Sequence, residues 1–146
     1  MRILSFLFIL SVSITACKKP PAPEFDRSAL LTNMADVKIK PALLEFSARL
    51  SSLSAAETEF ESATSFENLS GLRNAFKHAY AQLQRIKMYD FGPVAIHGIK
   101  ASMNNYPTDS AKINANIASG SYTLGSVSNV DAIGFPALDY LLFLSH

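Results

Sequence analysis

Leu69, Leu72, Phe76, Ala79, Tyr80, Leu83 and Ile86 return at intervals of three and four residues, and this stripe constrains the chain more than any other feature. The spacing is that of one face of an α-helix, and an apolar face of this length must be covered by another helix. Arg73, Lys77, Gln84 and Lys87 fall on the other faces. Ser65 stands where an N-cap is required. Phe91-Gly92-Pro93 stops the pattern, because glycine suits a left-handed cap and proline cannot continue a helix. His78 lies off the stripe and reads as a solvated residue, with a ligand role as the alternative.

Candidates for the covering helices lie on both sides. Before the stripe, Leu30, Leu31, Met34 and Val37 recur at helical spacing behind Asp26 and Ser28, either of which can cap. The pattern resumes at Leu43, Leu44, Phe46, Leu50 and Leu53, with Pro41 inside it. An interior proline loses one ladder bond and crowds the preceding turn, so a kink or a helix boundary is expected near Ile39 to Pro41. Ser51 to Ser65, rich in Ser, Ala, Glu and Thr, reads as the end of that helix and the approach to the next.

After the stripe, Val94 to Met103 is either a short helix or an irregular segment. His97 within it, flanked by Ile96 and Ile99, reads as a partly buried, hydrogen-bonded residue, since no second donor stands at ligand spacing. Tyr106-Pro107-Thr108-Asp109 is a turn that caps a helix through Ile113 and Ile117, ended by Gly120. Ser121 to Asn129 is a polar loop leading to Gly134-Phe135-Pro136-Ala137-Leu138-Asp139-Tyr140-Leu141-Leu142-Phe143. Pro136 suits the first turn of this last helix. Asp139 is the best site candidate, because a carboxylate inside an apolar helix is costly to bury without a partner; the alternative is that it caps its own helix. The fold class is therefore all-α, a helical bundle.

The N-terminal end is of another kind. Met1-Arg2 is a short positive region, and Ile3 to Ile14 is an apolar run shorter than the ~20 residues of a membrane span. Residues 1–16 thus read as a cleaved export signal. Ile14-Thr15-Ala16-Cys17 resembles a bacterial lipobox, and Cys17 is the only cysteine in the chain, which fits lipid attachment better than a disulfide or a redox pair. Residues 17–24 include Lys18-Lys19-Pro20-Pro21-Ala22-Pro23, an extended tether, and residues 25–146 form the helical domain. The expected address is the bacterial cell envelope, in the outer membrane on its periplasmic or surface face, with the membrane engaged through the anchor.

Charge narrows the partners. The chain has 13 basic and 12 acidic residues, with no basic cluster beyond Lys18-Lys19, and so no electrostatic footprint for nucleic acid. No phosphate-binding glycine loop, nucleophile elbow, His-Glu-x-x-His or zinc-knuckle spacing appears, and no internal repeat.

The last decapeptide resembles the Gly-x-His-x-x-Glu signature of the imelysin-like family of bacterial envelope proteins. Gly134 is in place, Pro136 occupies the histidine position and Asp139 the glutamate position. Phe25-Asp26-Arg27, Leu72-Arg73-Asn74-Ala75-Phe76, Gln84-Arg85, Phe91-Gly92-Pro93, Tyr106-Pro107-Thr108-Asp109 and Asn116-Ile117 follow the order seen in the first half of such proteins. The resemblance implies the first lobe of a two-lobed all-helical fold, a link to iron or other metal uptake, and a metallopeptidase label. A divalent metal or iron is the cofactor it implies, with Asp139 as the one candidate ligand here. Proline offers no donor, so a binding module taking a metal, a metal complex or an envelope protein partner is preferred, with a metallopeptidase and a purely structural lipoprotein as alternatives. Leu138, Leu141, Leu142, Phe143 and Leu144 cover more than one helix face, which predicts burial on several sides and a chain that continues into a second lobe.

Overall fold

The computed structural model describes residues 24–144, which divide into two units between Thr32 and Asn33. The leader, Cys17 and the tether up to residue 23 lie outside the described residues. In the first unit Asp26 is the cap: its Oδ1 accepts from the Ala29 amide at 2.9 Å, opening α1 (Arg27–Met34).

In the second unit the proline is accommodated without a break. Ala35–Ile39 is π-helical, with the Lys40 amide bonded to the Ala35 carbonyl, and α2 (Lys40–Ser62) follows with Pro41 in its first turn. A proline lacks its own N–H and crowds the carbonyl four residues back. A turn widened by one residue relieves both problems. Within the stretch Ser51 to Ser65 that was expected to end it, α2 runs as far as Ser62. The hydroxyls of Ser51, Ser52 and Thr58 donate to carbonyls one turn back, which keeps these weak helix formers inside the helix. The turn to α3 (Phe66–Ile86) is set by Asn68, whose Nδ2 donates to the carbonyls of Glu59 and Ala63 while its amide is capped by Ser65 Oγ at 3.1 Å.

The helices α2 and α3 supply Phe46, Phe76, Ala79 and Leu83 to the main core. Beyond α3 come α4 (Pro93–Ile96) and α5 (Ile99–Met103), separated by Gly98 in the left-handed region. The ambiguous stretch is thus two short helices. His97 lies exposed between them, with no hydrogen bond from its ring among the described residues, which corrects the expected partly buried histidine. His78 is exposed, as expected.

Asp109 caps α6 (Ser110–Ser119) through the Lys112 amide at 2.9 Å, and Gly120 closes it with φ 61°. A 3-10 segment, Val127–Ala132, then delivers the chain to α7 (Gly134–Asp139), and Tyr140–Leu144 continues as a π-helical turn. The unit is all-α, with no strand among the described residues. Phe135 of α7 is the ring that closes the core. It stacks on Tyr80 at 5.3 Å and lies 5.8 Å from Phe76 and 6.3 Å from Phe46. Burial of the last turns is one-sided: Leu142 and Phe143 pack on the core, whereas Leu138, Leu141 and Leu144 are exposed.

Candidate functional site

Gly134 has φ 83°, a conformation costly for any residue with a Cβ. A Cβ there would also stand 2.6 Å from the Met103 carbonyl oxygen and 2.8 Å from that of Ser102. The glycine of the motif therefore lets the start of α7 rest directly on the backbone end of α5. Pro136, the third residue of α7, is buried. The first four helical amides have no partner within their own helix, so its missing N–H loses nothing there.

Asp139 closes α7 and is half-buried. It does not cap its own helix: Ile133 is the N-cap residue, and no side chain bonds there. Its carboxylate has no hydrogen bond or ion pair among the described residues. Nor do the described residues contain any group of three or more His, Cys, Asp or Glu side chains placed to hold a metal ion.

The second side of α7 is built from α6 and the 3-10 segment. Ile113, Ala132 and Ala137 form a small buried cluster with Tyr140 against it. Polar bonds hold this cluster together. The Asp131 carbonyl accepts from the Asp109 amide and from Thr108 Oγ1, both at 2.8 Å. Lys112 Nζ reaches both Asp131 carboxylate oxygens at 2.6 and 2.7 Å. These hydrogen bonds from the ammonium hold the Asp131 carboxyl below the usual carboxylate range. Buried Asn129 accepts from Asn116 at 2.9 Å and donates to the Thr123 carbonyl at 3.0 Å, pinning the loop that leads into the segment.

A cleft of about 290 Å³ lies beside this cluster, walled by Ile113, Ile117, Tyr122, Leu124, Ala137 and Leu138 among others. Of the motif residues, only Gly134 borders the cleft; Pro136 and Asp139 do not. The Lys112–Asp131 clamp was not read from the sequence, since the two residues stand 19 apart and neither is unusual for a polar surface. The lysine, one turn inside a capped helix beneath a polar loop, is the only hint.

On the far side, Arg73 Nε donates to the Leu142 carbonyl at 2.7 Å, and Arg73 and Lys77 both lie 5.3 Å from the Phe143 ring centre. These contacts fix the last turn to α3. Among the described residues no helix is long and apolar enough to cross a membrane.

A family model described as Imelysin matches residues 42–146, which takes in all but the first two residues of α2 and every element after it. No curated protein and no solved structure matches the chain.

Proposed function

The chain belongs to the imelysin family, and from that premise we propose that it is an envelope-anchored lipoprotein that binds rather than cleaves, in the service of iron or other metal uptake. The observation that carries the reading is the cleft beside α7, whose walls are chiefly aliphatic. Such a surface takes an apolar group of a ligand or of a protein partner.

The metal that the family implies does not fit the motif residues of this chain. Pro136 has no donor atom, and Asp139 stands alone, whereas catalytic zinc takes three protein ligands. No catalytic step is derived through such an ion. The link to metal uptake then runs through a partner protein or a metal already wrapped in an organic ligand. The lipobox-like Ile14-Thr15-Ala16-Cys17 and the proline tether support anchoring at Cys17.

Labelled palmitate supplied to cells making the protein is expected to enter the wild type and not Cys17→Ser; equal labelling defeats the anchor. Metal analysis of the purified chain is expected to find less than stoichiometric metal, and a peptidase assay no cleavage that a chelator stops. Stoichiometric metal lost on Asp139→Asn would overturn the binding reading in favour of a metal centre.

A further inference from the structure

Leu138 also faces a second cavity, separate from the cleft just described. Leu50 and Leu53 of α2, Leu72 of α3, and Leu138 and Leu142 wall a groove of about 230 Å³, with Glu57 in its lining. The walls suit aliphatic side chains, and the charge around them selects what carries those side chains. From Leu50 to Leu72 the chain has Glu57, Glu59, Glu61 and Glu67 and no lysine or arginine. Of the cations at the two ends of this stretch, Arg49 pairs with Glu45 at 3.1 Å, and Arg73 is held at the Leu142 end of the groove by its 2.7 Å bond to that carbonyl, away from the Glu57 end. None of the four glutamates has an ion pair among the described residues. At ~100° per residue, Glu57 and Glu61 continue the same stripe of α2 as Leu50 and Ser54, whereas Glu59 falls on the opposite side.

We infer that this groove is the docking site for a basic amphipathic helix of a partner protein, its aliphatic face between Leu50, Leu53, Leu138 and Leu142 and its lysines or arginines over Glu57 and Glu61. The mode is a helix laid in a groove, with affinity from apolar anchors and choice of partner from charge. A second copy of this chain is a poor occupant, because a two-fold contact would set the same acidic stripe against itself. An anionic lipid surface is repelled for the same reason.

The full chain, held in nanodiscs of zwitterionic lipid, is titrated into a fluorescein-labelled Leu/Lys helical peptide and into the same apolar pattern with Glu in place of Lys. The Lys peptide is expected to bind more tightly by about tenfold or more and to weaken with salt. Glu57→Lys with Glu61→Lys should reverse the order of the two peptides, and Glu59→Lys should leave it unchanged. Leu138→Asp should weaken the Lys peptide, which places it in the groove, and circular dichroism reads whether each variant keeps its helices. Equal affinity for the two peptides, an effect of Glu59→Lys as large as that of the double variant, or a dimer by sedimentation that the Lys peptide does not dissociate overturns the inference.

Discussion

The two sides of α7 are held by different physics. Toward α2 and α3 the contact is a cluster of rings, with Phe46, Phe76 and Phe135 all buried and their centroids about 6 Å apart. Toward α6 and the 3-10 segment the buried residues are Ile113 and two alanines, and the cohesion comes from Asn129, Thr108 and the Lys112–Asp131 pair. Rings fill the space they occupy, whereas directed hydrogen bonds hold backbone in place without filling the volume between elements. Of the two cavities that Leu138 borders, the larger, about 290 Å³, lies on the polar-clamped side, and the one of about 230 Å³ lies toward α2 and α3.

The comparison breaks first if the ring cluster does not dominate stability. Phe76→Ala should cost about 3–5 kcal/mol, the range for removing a large buried ring, read as a shift in the urea midpoint; a loss under about 1 kcal/mol would mean the cluster can collapse around the hole. Gly134→Ala tests the seat shared by both sides. Its positive φ and the contact with Met103 together should cost about 2–4 kcal/mol, and a variant as stable as wild type would show that α7 can shift off α5.

On the polar side Asn129→Ala should cost about 1–3 kcal/mol, because it leaves the Asn116 side-chain amide without its acceptor and removes one of the bonds to the Thr123 carbonyl. Hydrogen exchange should rise in residues 121–132 and not in α3; a rise spread evenly over both would erase the distinction between the two sides.

The clamp also predicts a pH dependence. The folded value of Asp131 is depressed, so its contribution is fully present above the unfolded aspartate value of about 3.9 and is lost as pH falls through the lower folded value. Tm measured downward from pH 5 should therefore fall more steeply in the wild type than in Asp131→Asn, and parallel curves would show that the pair does not stabilise the fold. The smallest effect belongs to Asp139→Asn, expected within about 0.5 kcal/mol of wild type since no bond is broken. A larger loss would reveal a partner for that carboxylate.

Much of the helical order was legible because it follows from local chemistry. The Leu69 to Ile86 stripe, the Ser65 cap and the Gly120 stop stand where the sequence puts them, and of the alternatives it offered Asp26 and Asp109 are the caps. The length of α2 was not legible, because serine hydroxyls that can end a helix can equally bond one turn back and stay inside it. Pro41 allowed a kink or a boundary near Ile39 to Pro41; the structure puts a widened π turn over Ala35–Ile39 and starts α2 at Lys40. His97 was misread because isoleucine neighbours in sequence say little about exposure when the segment folds as two short turns around a left-handed glycine.

The sequence by itself determined the all-α class, several of the helix caps and the family, since periodicity and capping act over a few residues and the motif order spans the chain. Only the tertiary structure decided what the motif positions do. The Met103 carbonyl turns Gly134 into a packing position, Pro136 is buried, and Asp139 is left without a partner among the described residues. Each of these depends on residues far away in the chain, and contacts of that range are set by how whole helix faces pack rather than by any local pattern.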